Sequence, residues 1–216
     1  MTPSHHLGSD LLLAYAAGSL EDAVSLFVAT HLALCPDCRS SVDQAEAVGG
    51  AMLEEQPPAE VGGDVLESLL GSLVDGDREV APEPSPAGSP VIIPEPLRSL
   101  TGPFADIPWE KRAPGIRTFE IGLDHRNLPV RLFRLTSGIS VPTHSHNGLE
   151  RGMVLTGGFT DDVGHFVRGD VSVREPGFDH VAKVDEGEAC VALFVNDALL
   201  VPRTLVGRIA SRWVKL

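Results

Sequence analysis

Two groups of side chains in this chain have the types and spacing to ligate a metal ion, and they sit in different halves of the sequence. The first is His31-Leu32-Ala33-Leu34-Cys35-Pro36-Asp37-Cys38. On a helix, His31 and Cys35 share a face one turn apart. Pro36 has no N–H to donate and is tolerated in the first turn of a helix, so one helix is expected to end near Cys35 and another to begin at Pro36. That break swings Cys38 back toward Cys35 and His31. An imidazole and two thiols then converge, as a tetrahedral zinc site requires. A structural site needs a fourth ligand, and His5 and His6 are the candidates nearby. A redox pair of the thioredoxin kind is not expected, because no βαβ pattern surrounds the two cysteines.

The second group is His144-Ser145-His146, Glu150 and His180. On a strand, His144 and His146 point to the same face. Glu150 follows a short turn through Asn147-Gly148 and can enter the same cavity from the next strand, and His180 arrives from far downstream. Three imidazoles and one carboxylate suit zinc, iron, manganese or nickel. His125 and His165 lack such company. Cys190, flanked by Ala189 and Val191 in an alternating run, reads as a core residue; exposed and with a lowered pKa it would be an oxidation sensor instead.

The elements that must hold these groups can be read from periodicity and breakers. A helix is expected after Ser9 or Asp10, ended by Gly18. A second should start near Glu21-Asp22 and a third should run from Pro36 to Val48, stopped by Gly49-Gly50. A fourth, capped by Asp64, has Val65, Leu66, Leu69, Leu70, Leu73 and Val74 as an apolar stripe and must fold back on the bundle or lie on a partner. Three short helices around one ion make a poor core, so zinc is expected to supply much of their folding energy. Residues 80–96 are rich in proline and read as a linker. Beyond them the period falls to two in 117–121, 130–135, 171–174 and 190–195, with glycine turns between, as in an antiparallel sandwich or barrel. The expected fold class is therefore α + β in two domains: a zinc-bound helical bundle in 1–79, a linker in 80–100, and an antiparallel β-barrel in 101–216.

Charge is divided as unevenly as structure. The net charge is −13, and residues 1–80 hold fourteen acidic residues against two basic ones, Arg39 and Arg78. Direct nucleic-acid binding by that half is not expected, since phosphates need neutralising. A basic protein partner would be steered to it. No apolar run is long enough to span a bilayer, no signal peptide opens the chain, and three cysteines make no disulfide framework. A cytoplasmic protein without membrane contact is expected.

The spacing of Gly138, His144, His146, Glu150 and Gly157 resembles the first cupin motif, and Gly169, Pro176, Gly177 and His180 resemble the second, with Pro176 one position late and Val184 where asparagine is common. The N-terminal half, with His6, His31, Cys35, Cys38 and the segments Ala14-Tyr15-Ala16-Ala17-Gly18 and Ala47-Val48-Gly49-Gly50, resembles zinc-binding anti-sigma domains. Both halves in this order are similar to the ChrR family of anti-sigma factors. The resemblance implies His6 as the fourth zinc ligand, and Zn2+ or another divalent transition metal in the cupin site. It also implies an extracytoplasmic-function sigma factor as partner, held inactive by the helical domain. Release would follow oxidative stress, singlet oxygen or organic hydroperoxides, sensed by the cupin domain. A metal-dependent cupin enzyme, a dioxygenase or isomerase with a regulatory helical domain, is the alternative reading. The acidic bundle and its zinc speak against it, because such an enzyme needs neither.

Overall fold

In the computed structural model, residues 2–75, 93–123, 128–177, 179–196 and 200–202 are described; the side chains at 74, 75, 142, 144–146 and 200–202 are not. Helix α1 (Ser9–Ala16) starts at Gly8 without a side-chain cap. It ends in a Schellman turn, with Gly18 at φ +63°, its N–H on the Tyr15 carbonyl and the Ser19 N–H on the Ala14 carbonyl. Helix α2 (Asp22–Leu32) carries His31 in its last turn. Helix α3 (Pro36–Glu54) begins with Pro36 in its first turn and Cys35 as its N-cap.

The glycine pair does not stop α3. The helix continues through Gly49-Gly50 to Glu54. Each glycine costs a helix about 1 kcal/mol relative to alanine, and the good helix formers Ala51, Met52, Leu53 and Glu54 that follow carry the pattern past it. Helix α4 (Val65–Asp75) forms where the apolar stripe lies. Every residue from Val65 to Leu73 is exposed, with Leu66 at 65% and Leu73 at 77%, so nothing among the described residues covers the stripe. A fifth helix, α5 (Glu95–Thr101), lies inside the stretch read as linker. Its Leu97 is fully buried, Ile93 just before it is 3% exposed, and α5 packs against α2.

The strands form two antiparallel sheets rather than one closed barrel. The six-stranded sheet runs β1 (Glu110–Ala113), β2 (Ile116–Ile121), β3 (Val130–Leu135), β10 (Cys190–Asn196), β5 (Glu150–Thr156), β8 (Val171–Arg174). The five-stranded sheet runs β11 (Leu200–Pro202), β4 (Ser140–His146), β9 (His180–Val184), β6 (Gly158–Thr160), β7 (His165–Val167). The β5–β6 corner needs glycine. At Gly157 φ is +67°, and a Cβ would stand 2.7 Å from the Ala189 carbonyl oxygen.

The six-stranded sheet is buried on both faces. Along β10, Cys190 and Ala192 point into the space between the sheets with Leu135, Val154, Phe166 and Val184. Val191, Leu193 and Val195 point the other way and join Val130, Leu132 and Met153 in a core continuous with Leu7, Leu12, Phe27 and Val28 of the helical half. Successive strand residues alternate between faces, so a strand covered on both sides reads as a continuous apolar run. Helix α2 lies against β10. The helices and the sheets thus share one hydrophobic core across the Pro-rich segment.

Candidate metal centres

The α2–α3 corner builds the first site. After Leu32 the chain makes one more turn, with the Leu34 and Cys35 N–H groups both on the His31 carbonyl, and Pro36 then opens α3 in a new direction. Cys35 Sγ accepts from the Cys38 N–H at 3.5 Å. The N-terminal strap lays His6 over this corner. His6 Nδ1 lies 3.3 Å from Cys35 Sγ and 3.6 Å from Cys38 Sγ. One donor atom from each of His6, His31, Cys35 and Cys38 falls within 4.8 Å of the others. Zinc–nitrogen and zinc–sulfur bonds at a tetrahedral angle put the two donors about 3.6 Å apart, so this cluster has the size of a four-coordinate zinc site.

A buried orphan atom makes the same point. His31 is fully buried. Its Nδ1 lies 3.0 Å from the Gly169 carbonyl oxygen. A carbonyl only accepts, so Nδ1 carries the hydrogen and Nε2 presents a lone pair. That Nε2 is buried with no hydrogen-bond partner among the described residues. Burial holds the His31 imidazole below its usual pKa, favouring the neutral, ligating form. Burial also pushes the Cys38 thiol up to about 11. The donor set fits Zn2+, which would supply the positive charge that makes thiolates stable there and would tie α2, α3 and the strap together. His5, the other candidate, goes elsewhere. Its ring packs on Phe166 at 4.4 Å between centroids, and its Nδ1 is 3.4 Å from Asp170 Oδ2.

Asp170 gave no sign in the sequence beyond standing next to a motif glycine. Its buried carboxylate accepts from the Ser4 N–H at 2.6 Å, the His5 N–H at 2.9 Å and the Val167 N–H at 2.9 Å. Burial opposes its charge, but those backbone donors prevail and hold the carboxyl below the usual aspartate range. The His5 carbonyl in turn accepts from the Val171 N–H.

The second site lies between the sheets. Glu150 opens β5 and His180 opens β9, and both are buried, with His180 Nε2 3.9 Å from Glu150 Oε1. His144 on β4 pairs in register with His180. The side chains of His144 and His146 lie outside the described residues. Glu150 and His180 line a cavity of about 90 Å³ walled by Phe133, Phe159, Phe194 and Cys190. Burial pushes the Glu150 carboxyl up to about 7. A neighbouring buried ion pair, Arg174 with Asp161, was not foreseen, nor was Asn196, which hydrogen-bonds Glu150. Cys190 is fully buried, and burial pushes its thiol up to about 12, the reverse of what a reactive thiolate needs. His165 pairs at the surface with Asp185 at 2.8 Å, and His125 lies outside the described residues. No helix among the described residues is long and apolar enough to cross a membrane.

Comparisons with known proteins agree with this architecture. Residues 98–199 match the family model for the ChrR cupin-like domain. The chain is 36% identical over 202 residues to the anti-sigma-E factor ChrR of Cereibacter sphaeroides, covering 93% of this chain and 92% of that protein. A solved chain from the crystal structure of Rhodobacter sphaeroides SigE in complex with the anti-sigma ChrR superposes with a TM-score of 0.74 at 33% identity, over 91% of this chain and 100% of that one. That relative is a regulatory protein and not an enzyme, although cupin folds are common among enzymes. With helices and cupin sheets in the same order along nearly its whole length, the chain belongs to the ChrR family of anti-sigma factors.

Proposed function

We propose that this protein is an anti-sigma factor that binds an extracytoplasmic-function sigma factor and keeps it from transcription. The observation that carries the reading is the near full-length likeness to a chain crystallised with SigE. Two features of the molecule support it. Helix α4 presents Leu66, Leu69, Leu70 and Leu73 to solvent, and the second half of α3 adds Val48, Met52 and Leu53. Exposed apolar faces of this extent on a soluble chain mark a protein-binding surface. The same region is strongly acidic, which suits the basic faces of a DNA-binding partner.

In this reading residues 1–79 form the inhibitory domain, residues 80–100 connect, and residues 101–216 form the cupin domain. His6, His31, Cys35 and Cys38 hold a structural zinc that fixes the surface presented to the sigma factor. His144, His146, Glu150 and His180 hold a second divalent metal, zinc or another transition metal. The cupin site senses singlet oxygen or organic hydroperoxides and favours release. Such a signal acts only through different free energies for the bound and free states. The protein works in the cytoplasm and touches neither membrane nor DNA itself. Co-expression of the full chain with sigma factors of its own genome, followed by pull-down and elemental analysis, tests the reading. A one-to-one complex carrying zinc is expected. A zinc-loaded chain that captures none of them would remove it.

A further inference from the structure

The two histidines of the helical site come from separate segments, yet both lean on one turn of the cupin domain. Gly169 and Asp170 lie between β7 and β8, and Val171 opens β8. The Gly169 carbonyl holds His31 Nδ1. The Asp170 carboxylate holds the N–H groups of Ser4 and His5, which leads directly into His6. The Val171 N–H holds the His5 carbonyl. Approach is close: Gly169 sits at φ +92°, and a Cβ there would stand 2.6 Å from Pro3 Cγ. The two cysteines come from the α2–α3 corner, and the strap adds the Leu7 N–H to Cys38. The other end of this turn reaches the cupin cavity. Ser172, two residues beyond Asp170, lines it, and Arg174 pairs in register with Glu150.

From this arrangement we propose that the β7–β8 turn is the outer support of the helical metal site, with Asp170 the positioning residue through which the state of the cupin cavity reaches zinc. The proposal rests on the zinc reading of His6, His31, Cys35 and Cys38. Partners that orient metal-bound imidazoles fix the ring and its tautomer, and their loss weakens metal binding ten- to a hundredfold. Here those partners belong to the other domain. A displacement of β8 at the cavity moves Gly169 and Asp170 together and withdraws support from two of the four ligands at once. By linkage the effect runs both ways, so emptying the zinc site must loosen the turn.

The test uses the full chain. Metal content is measured first, because a wild type that holds no zinc removes the site reading and this proposal with it. Zinc release to a chromogenic chelator is then followed in wild type, Asp170→Asn and, as a control in the same domain, the exposed Asp162→Asn. Asp170→Asn should release zinc ten- to a hundredfold faster while Asp162→Asn stays within twofold. The ligand-field bands of the cobalt-substituted site should also shift in Asp170→Asn, which a general loss of stability does not produce. In wild type, amide exchange at Val171 is compared before and after zinc removal, with at least a tenfold acceleration expected. Unchanged zinc release from folded Asp170→Asn overturns the proposal. So does unchanged exchange at Val171, which decides the matter alone where Asp170→Asn fails to fold.

Discussion

Cutting the chain after residue 79 gives a fragment whose fate can be worked from the structure. The fragment keeps α1 to α4 and all four donors of the helical site. It loses Ile93 and Leu97, both buried in the core shared with α2, and the Gly169 carbonyl that holds His31. Burying one such side chain stabilises by about 1.5–3 kcal/mol, and the hydrogen bond to His31 contributes about 0.5–1.5 kcal/mol. These contacts alone come to about 4–8 kcal/mol, before the core shared with β10 is counted, against a total of about 4–12 kcal/mol for a domain of this length. A structural zinc ion offsets this, contributing about 10–16 kcal/mol at neutral pH. The fragment should then fold only with zinc. Far-UV circular dichroism of the zinc-loaded fragment should show a cooperative thermal transition that chelator abolishes. A chelated fragment that kept its helicity and its transition would refute the reasoning.

Further predictions follow from single side chains. Replacing Cys35 or Cys38 with serine should lower bound zinc by one equivalent and abolish sigma binding; tight binding by the double variant would contradict it. Leu69→Glu and Leu73→Glu on exposed α4 should leave the melting temperature unchanged, since surface changes move stability by about 0.5 kcal/mol or less, but weaken sigma binding at least tenfold by isothermal titration. Asp170 has a folded pKa below its unfolded value near 3.9, so its contribution is full above that value and is lost as pH falls through the lower folded one. The protection factor of the Val171 amide, referred to its intrinsic rate at each pH, should fall only below about pH 4. Maleimide labelling of native Cys190 at pH 8 should be far slower than in denatured protein, because burial keeps its thiol protonated; equal rates would restore it as a candidate sensor.

The sequence was most readable where one residue type has one physical use. Pro36 starts α3, Gly18 ends α1, and a histidine one turn before a Cys-x-x-Cys brings three donors to one corner. The fourth donor stayed open between His5 and His6, because neighbours in an irregular strap point in directions that only the docked structure defines. Gly49-Gly50 misled, since a helix interior tolerates glycine where its neighbours favour helix. Helix α5 was hidden by the prolines around it, although Pro96 sits in its first turn where proline is accepted. The shared core and the Asp170 contacts were out of reach for another reason. The Asp170 contacts join residues more than 160 positions apart, and no local period records which face of a sheet a distant helix will cover. The doubly buried β10 carried a trace of it, because 190–195 is an apolar run and not the alternating strand expected of it.

Inhibition of a sigma factor can be read in transcription reconstituted in vitro. RNA polymerase core, one extracytoplasmic-function sigma factor from the same genome and its promoter are mixed with increasing amounts of the zinc-loaded full chain. Run-off product should fall to background near one chain per sigma factor, and chain stripped of zinc should no longer repress. Undiminished transcription at a large excess of zinc-loaded chain, with every such sigma factor of that genome, would contradict it.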